Sequence, residues 1–502
     1  MTIPRYQFTF DSSTCSGCKA CQVACKDRNG LETGRLWRRV YEVGGGGWRQ
    51  QGAAWVADTF AYNLSVSCNH CQQPICAEVC PTQAITQRPD GIVLLDEGRC
   101  IGCKYCSWAC PYGAPQYDPA RGCMSKCNFC VENLAQGLPP ACVAACGLRS
   151  LEYSLDGGSS NGRVAVVPPL PDPGWTEPAL QIIPHRDAVR AQSAPLRVAN
   201  QEEVRPAGHG SELPLALFTV LAQLAAGLAL AAGAIYLGGA RWIGPLTAQG
   251  LALPALLAAG AALGLGMLLS LGHLGRPWRA YRALYGLRSS WLSREILLAG
   301  LFAAGLAAFT GLLALQPGSP ALPAAYAWSG LSGLGLVYAM LRVYRQRTLP
   351  AWDTWRTAAA FFLTAALLGL LGAGALLAPA AARLAAMPGE SLRGSLEAWV
   401  RGGALAAVLL LAVDWVLQGW FERQSGGAER ARRRRAPTGF PGATPGLGQV
   451  CSLGALICLL PLLLSQASTW LPILFIPAFQ LALVGQFLGR MQFYRVLEQR
   501  RL

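Results

Sequence analysis

The feature that most constrains this chain is the grouping of its cysteines. The sequence contains 19 cysteines in 502 residues, and all of them except Cys451 and Cys458 lie before residue 147. Most of them form four groups of four: Cys15, Cys18, Cys21 and Cys25; Cys68, Cys71, Cys76 and Cys80; Cys100, Cys103, Cys106 and Cys110; and Cys127, Cys130, Cys142 and Cys146. Thiols at this density predict an N-terminal head organised around the groups that the cysteines bind.

Disulfides and zinc are the alternatives to iron–sulfur clusters. Disulfide scaffolds occur in short secreted chains that carry a signal peptide. The N-terminal stretch MTIPRYQFTF lacks the basic and apolar regions of such a signal, so we expect that the head is not exported by its own N-terminus. Zinc sites use Cys-x2-Cys pairs but have no use for a cysteine triplet followed by a displaced fourth ligand. The spacing therefore favours iron–sulfur clusters.

The spacing Cys-x2-Cys-x2-Cys-x3-Cys, at residues 15–25 and 100–110, is that of two-cluster ferredoxins. In those proteins the last cysteine of one group binds the cluster of the other group. Pairing the outer groups with each other, and the inner groups with each other, predicts four [4Fe–4S] clusters with four complete ligand sets. These are set A (Cys15, Cys18, Cys21, Cys146), set B (Cys68, Cys71, Cys76, Cys110), set C (Cys80, Cys100, Cys103, Cys106) and set D (Cys25, Cys127, Cys130, Cys142).

Two residues near these groups have open roles. Cys123 is left over and is interpreted as a spare thiol, although a shift of four residues would recruit it as a ligand. His70 lies inside the second group and could replace a ligand, but a hydrogen bond near a cluster is the expected role. Neither residue is needed to complete the four sets.

The remaining chain divides by composition. Residues 1–155 hold the cysteine groups, residues 156–212 predict a Pro-rich extended tether, and residues 213–502 contain the long apolar segments. We predict membrane-spanning helices at about 214–237, 249–272, 295–315, 325–343, 358–378, 399–420, 449–467 and 470–489. The predicted fold class is an α+β di-ferredoxin-like iron–sulfur domain followed by an all-α polytopic membrane domain of about eight transmembrane helices.

The formal net charge of +15 reflects membrane topology. Most arginines of the second half flank the apolar segments on one side, so the basic charge does not indicate a nucleic acid partner. By the positive-inside rule the arginine-rich side is cytoplasmic, and an even number of spans puts the head and both termini there. We therefore expect a multi-pass protein of the cytoplasmic (inner) membrane with its iron–sulfur domain on the cytoplasmic side.

Several motifs carry a family resemblance. The head segments CSGCKACQVACKDRNG, CNHCQQPICAEVCP, CIGCKYCSWACPYGAPQYD and MSKCNFCVENLAQGLPPACVAAC resemble the four-cluster electron-transfer subunit of dimethyl sulfoxide reductase-type molybdoenzymes. The segments LGHLGRPWRAYRAL, LSREI and GRMQFY are similar to the matching membrane anchor. The resemblance implies a fusion of an electron wire with a quinone-binding anchor, which serves a separate molybdopterin-containing catalytic subunit. This chain would then not transform the terminal substrate by itself. In sulfite-oxidising relatives the same relay runs towards quinone.

A site for menaquinone or ubiquinone needs an apolar slot, polar groups at the quinone oxygens and a route for protons. Haem is not expected, because only His273 of the four histidines adjoins an apolar segment. The resemblance associates His273 and Glu295 with quinol binding. The full set of candidate quinone-site residues is His273, Glu295, Arg342, Tyr344, Asp414 and Arg490.

Two other interpretations of these residues stay open. His273 and the arginines would also serve as interfacial anchors that fix topology, and Asp414 would also serve as one half of an ion pair. An ion-translocating membrane redox protein is a rival function, which predicts buried acids and broken helices in symmetry-related halves. Asp414 has no clear counterpart in the other half, which weakens that rival.

Overall fold

The computed structural model describes residues 4–156, 166–192, 196–199, 213–385, 398, 400–419, 446–464 and 471–498. All structural statements below concern these residues. The predicted span ends, tether segments and arginine runs that fall between them lie outside the described residues.

The head consists of short strands and mostly single-turn helices that connect the cysteine loops. Its helices are α1 (Ala20–Arg28), α2 (Ile75–Glu78), α3 (Tyr105–Ala109), α4 (Val131–Leu134) and α5 (Ala141–Ala144). Its first ten strands are β1 (Arg5–Asp11), β2 (Arg39–Gly45), β3 (Trp48–Gln51), β4 (Ala54–Ala57), β5 (Phe60–Val66), β6 (Ile85–Gln87), β7 (Val93–Leu95), β8 (Gln116–Asp118), β9 (Cys123–Ser125) and β10 (Leu151–Asp156). Regular structure is sparse because the cysteine loops occupy much of the chain.

The two three-stranded sheets of the head include strands from the predicted tether. Strand β1 pairs antiparallel with β10 and parallel with β11 (Leu180–Ile183). Strand β2 pairs antiparallel with both β5 and β12 (Leu196–Ala199). The described parts of the tether therefore lie along the head as edge strands, which keeps the start of the anchor close to the cysteine loops.

The anchor is a bundle of long helices. They are α6 (Leu213–Ile243), α7 (Pro245–Leu271), α8 (Trp291–Leu315), α9 (Leu322–Tyr344), α10 (Trp355–Ala385), α11 (Val400–Gly419), α12 (Leu447–Leu464) and α13 (Phe475–Glu498). Among the described residues, the first seven of these are long and apolar enough to cross a membrane. Helix α13 packs with them but extends to Glu498, beyond the end of the predicted eighth span, and its second half carries polar residues.

Small residues let the anchor helices approach closely, as in other membrane bundles. A Cβ atom on Gly227 of α6 would lie 2.0 Å from the carbonyl oxygen of Ala365 in α10, and one on Gly369 would lie 2.4 Å from Gly227. The backbones of α6 and α10 therefore touch at this glycine pair.

The loop between α7 and α8 binds the head to the anchor through backbone acceptors. The Arg276 guanidinium donates to the carbonyl of Arg121 at 2.8 Å, and Ser290 Oγ donates to the carbonyl of Val79 at 2.8 Å. Gly102 has a φ of +70°, and a Cβ there would lie 2.5 Å from the Gly122 carbonyl oxygen and 3.0 Å from Gly275 Cα. The third cysteine group is therefore pressed directly against the anchor.

Candidate functional site

The four cysteine loops share one backbone feature. The residue before the second cysteine has a positive φ in every group: +73° at Gly17, +43° at His70, +70° at Gly102 and +62° at Phe129. This left-handed residue turns the loop back on itself, so that backbone N–H groups face the preceding sulfur. The N–H groups of Gly102 and Phe129 lie 3.4 Å from Cys100 Sγ and Cys127 Sγ, respectively.

The structure brings together the four thiols of each predicted set, since their charges act on one another. Burial raises the pKa of Cys15, and the nearby charges of Cys21, Cys146 and Cys18 raise it further. Burial likewise raises the pKa of Cys76 and Cys106, and the other cysteines of their own sets raise it further. Burial, with the charges of Cys142 and Cys130, raises the pKa of Cys25 to about 12. The exchanged ligands of all four sets therefore lie beside their predicted partners.

The donor chemistry of these sets fits iron–sulfur clusters. Thiols whose pKa is raised by burial ionise readily only when a metal centre balances the thiolate charge. The sulfurs of set B line one internal cavity together with Asn69, Tyr112 and Lys126. Within the described residues, no three His, Cys, Asp or Glu side chains converge closely enough to bind a single metal ion.

The sets also follow one another in a line. Cys106 of set C interacts with Cys76 of set B, and Cys127 of set D interacts with Cys68 of set B. Cys21 of set A interacts with Cys142 of set D. The spatial order is therefore C, B, D, A, which the spacing of cysteines along the chain does not reveal.

Set C lies at the anchor end of this line. Helix α3 carries Tyr105 and Trp108 on either side of Cys106, and the Tyr105 hydroxyl donates to the carbonyl of Val343 at 3.0 Å. The Trp108 ring lies 6.3 Å from Tyr344 and 6.4 Å from Tyr494, measured between ring centroids. Tyr105 and Trp108 were not predicted as site residues, although their i, i+3 spacing beside a cysteine was a usable signal.

Set A lies at the opposite, outer end. Cys18 is exposed, and three large apolar side chains around it face solvent: Val23 is 54%, Leu138 50% and Leu148 56% exposed. We call Val23, Leu138 and Leu148 the outer patch. Exposed apolar side chains grouped in this way mark an interaction surface.

Three candidate quinone residues converge below set C. Glu295, which is 4% exposed, lies close enough to Tyr105 and Tyr344 for their charges to interact. The Tyr344 and Tyr494 hydroxyls are 2.5 Å apart. Arg490 Nη2 donates to Gln223 Oε1 at 3.1 Å, and its guanidinium lies 3.9 Å above the Phe361 ring.

Arg342 lies at the rim of a neighbouring cleft of about 380 Å³ between the head and the anchor. Its guanidinium lies 4.6 Å above the Trp291 ring, and Nη1 donates to the Tyr338 hydroxyl at 3.2 Å. Tyr105 and the buried Gln346 also line the cleft, and Gln346 Oε1 has no hydrogen-bond partner among the described residues. The cleft thus connects the surface with the residues next to Glu295.

His273 and Asp414 lie apart from this group. His273 follows α7, bonds through Nδ1 to the Ser270 carbonyl, and faces Lys104 beside Cys103. Burial lowers its pKa to about 4, with the Lys104 charge acting in the same direction, so the imidazole is neutral near pH 7. Asp414 accepts hydrogen bonds from Ser452 at 2.9 Å and Gln418 at 2.7 Å, between α11 and α12.

The two open residues of the head are both buried. His70 is 1% exposed, and its Nδ1 accepts the Val93 N–H at 3.0 Å, while burial holds its pKa well below 6.5. Cys123 lies in β9, where burial raises its pKa to about 11 and Cys100 is a neighbour. Each of the four sets is complete without either residue.

Two family matches cover the two parts of the protein. Residues 59–154 match the 4Fe-4S dicluster domain, and residues 208–400 match the DMSO reductase anchor subunit (DmsC).

Curated relatives match the head. The probable anaerobic dimethyl sulfoxide reductase chain YnfG of Escherichia coli (strain K12) is 45% identical over 202 residues, which is 40% of this sequence and 98% of that protein. A second anaerobic dimethyl sulfoxide reductase chain of the same strain is 44% identical over the same lengths. A sulfite dehydrogenase subunit of Allochromatium vinosum is 38% identical over 160 residues, 27% of this sequence and 62% of that protein.

Proposed function

This protein belongs to the family of the anaerobic dimethyl sulfoxide reductase iron–sulfur chains, continued by an anchor of the DmsC family, and we propose how its residues divide the work of electron relay. As a member of this family it carries electrons through iron–sulfur clusters and has a helical membrane anchor. The observation that carries the proposal is the contact of α3, which holds Cys106, with Tyr344 and Tyr494 of the anchor.

In the proposed relay, sets A to D each hold one [4Fe–4S] cluster, and each cluster supplies one-electron transfer when it is bound. The four cysteines of a set hold the cluster, and the left-handed loops aim backbone N–H groups at the sulfurs. Burial and N–H···S bonds are the protein's means of adjusting the reduction potential. Electrons would pass along the order C, B, D, A or the reverse.

The proposed quinone site lies below set C, between Glu295, Tyr344 and Arg490. Oxidation of a quinol releases two electrons and two protons, so the site needs a base beside an apolar slot. Glu295 is the buried carboxylate that would accept a proton, and the paired hydroxyls of Tyr344 and Tyr494 would orient the quinol oxygen. The cleft between head and anchor offers the proton a route to water, with Arg342 at its rim.

His273 supplies a second contact at the same end of the relay. It faces Lys104 next to Cys103, while Glu295 reaches the relay at Tyr105, the other neighbour of Lys104. A neutral imidazole at this position can accept or donate one hydrogen bond. Asp414 is left out of the proposed site, because Ser452 and Gln418 already satisfy it away from Tyr344.

The outer patch around Cys18 is the proposed contact with a molybdopterin-containing catalytic subunit. The named relatives are chains of dimethyl sulfoxide reductases, which implies such a partner. The arginine-rich loops on the head side support a cytoplasmic head by the positive-inside rule. A sulfite-oxidising partner is the second candidate, supported by the match to a sulfite dehydrogenase subunit, and it would reverse the electron flow.

The quinone site is tested with the full chain, purified anaerobically in detergent and mixed with a reduced menaquinone analogue. Glu295→Gln keeps the size of the side chain but removes the base, so cluster reduction should slow by roughly 100-fold. Glu152→Gln, an exposed carboxylate on β10, is the matched control and should leave the rate unchanged. Unchanged reduction in Glu295→Gln, with the iron content intact, would reject the site.

A further inference from the structure

Two buried arginines three residues apart differ in how their charge is balanced. Arg35 forms an ion pair with the buried Asp118 and a second one with Glu32 at 3.1 Å. Arg38 is 1% exposed, and among the ion pairs of the described residues none involves it. A buried charge is costly unless something pairs with it, so Arg38 requires a counter-charge other than a carboxylate.

The surroundings of Arg38 identify that counter-charge. Its charge interacts with Cys21 of set A and with the set D thiols Cys142, Cys127 and Cys25. These are the two adjacent outer sets of the line, so the guanidinium lies at the joint between them. The cysteine sulfurs of these sets are the negative groups that Arg38 faces.

Neutral contacts hold Arg38 in this position. Nη1 donates to Ser65 Oγ at 3.1 Å and Nη2 to Ser67 Oγ at 2.9 Å, while the Phe8 ring lies 4.7 Å from the guanidinium carbon. Arg38 Nε is buried and has no hydrogen-bond partner among the described residues. That N–H is a spare donor beside two sets of sulfur ligands.

We propose that Arg38 is the residue that raises the reduction potentials of the clusters in sets A and D, through its unpaired buried charge and its free Nε–H. A reduced cluster carries one more negative charge than an oxidised one, so a fixed cation nearby favours reduction. The proposal rests on the cluster ligation proposed above. Lys126, whose Nζ lies 3.6 Å from Cys68 Sγ, belongs to the next joint, so Arg38 should act locally.

The test is a redox titration of the anaerobically purified full chain, followed by low-temperature electron paramagnetic resonance. Signals of sets A and D are first assigned through Cys146→Ser and Cys142→Ser. Arg38→Gln should weaken reduction of one or both of these clusters by at least about tenfold, which is about 59 mV for one electron. Arg38→Lys keeps the charge and should restore most of the shift, while the signals of sets B and C stay in place.

The matched control removes the other buried arginine without changing net charge. The double variant Arg35→Gln with Asp118→Asn deletes a neutralised pair and should leave all midpoints unchanged. Unchanged midpoints in Arg38→Gln, with full iron content, would overturn the proposal. An equal shift in Arg38→Lys would also overturn it, because that result indicates packing and not charge. Iron loss already in the unsubstituted protein would instead reject the cluster ligation.

A second variant covers the case in which Arg38→Gln does not retain its iron. Ser67→Asp adds a carboxylate to the acceptor that Arg38 Nη2 already contacts at 2.9 Å, so the new pair cancels the field of Arg38. Midpoints of sets A and D should fall, whereas Ser67→Asn should leave them unchanged. A shift confined to set B, whose ligand Cys68 is the next residue, would overturn the proposal.

Discussion

The two ends of the cysteine relay differ in how they are covered. Set C is enclosed: Trp108 packs against Tyr344, Trp352 and Tyr494, and the loop after α7 bonds to the head backbone. Set A ends at the exposed Cys18 and the apolar outer patch. The comparison teaches that the anchor contact is built into the fold, whereas the outer contact is left for a separate partner.

The exchanged ligand Cys80 gives the largest expected effect on the enclosed end. It belongs to the second cysteine group but lies with the set C thiols, so Cys80→Ser should remove the cluster next to the anchor. Iron content should fall by up to about four atoms per chain, and the set B signal should remain. Cys123→Ser is the control and should retain all iron. Loss of the set B signal in Cys80→Ser would show that the ligand exchange is wrong.

Trp108 tests whether the anchor contact stabilises the head. Trp108→Ala removes a 6% exposed ring that packs against three aromatic side chains, so it should cost about 3–5 kcal/mol of unfolding free energy. Thermal unfolding in detergent, followed by the visible absorbance of the clusters, measures this loss. Trp55→Ala, whose ring is 63% exposed, should change little. Equal effects of the two variants would contradict the comparison.

The outer patch should behave in the opposite way. Leu148→Asp combined with Val23→Asp places charge on exposed apolar positions, so partner binding should weaken by roughly tenfold, which is about 1.4 kcal/mol. Co-purification or surface binding with the catalytic subunit measures this. Cluster reduction by quinol should be unaffected, because the inner end is untouched. Unchanged partner affinity would remove the outer patch from the interface.

His273 predicts a pH effect confined to the enclosed end. Its pKa is lowered to about 4 in the folded protein from 6.5, so the folded state disfavours the proton. This contribution to stability is present above pH 6.5 and is lost progressively as the pH falls towards 4. His273→Gln should flatten this part of the pH–stability curve. An unchanged curve would show that His273 does not titrate in this way.

Asp414 gives the smallest expected effect. Asp414→Asn keeps an oxygen acceptor for Ser452 and Gln418, so unfolding free energy should fall by only about 1 kcal/mol. Quinol-dependent cluster reduction should stay unchanged, because Asp414 lies apart from Tyr344. A marked loss of quinol oxidation with normal stability would return Asp414 to the quinone site.

Much of the head could be predicted from the sequence, because ligand spacing is a local property. The exchange of Cys80 and Cys110 follows from the two-cluster ferredoxin rule, and the structure places these thiols accordingly. The order of the sets depends on contacts such as Cys106 with Cys76, which only the fold creates. The counter-charge of Arg38 was hidden for the same reason, since Cys142 lies far from it along the sequence.

The anchor was harder to predict in detail. Apolar runs predict helices well, but they do not say which head-side residues meet. Glu295, Tyr344 and Arg490 converge, while His273 faces Lys104 and Asp414 faces Ser452. Helix α13 extends to Glu498 because packing against α10 and α12 tolerates polar residues that lower its hydropathy.

The most direct test of the account is the order in which a quinol reduces the clusters. Rapid freeze-quench electron paramagnetic resonance, after mixing the anaerobic full chain with a reduced menaquinone analogue, records each signal over time. We predict that the set C signal appears first, and that Cys80→Ser blocks reduction of sets A, B and D. Reduction of those sets at their normal rates in Cys80→Ser would contradict a linear relay that begins at set C.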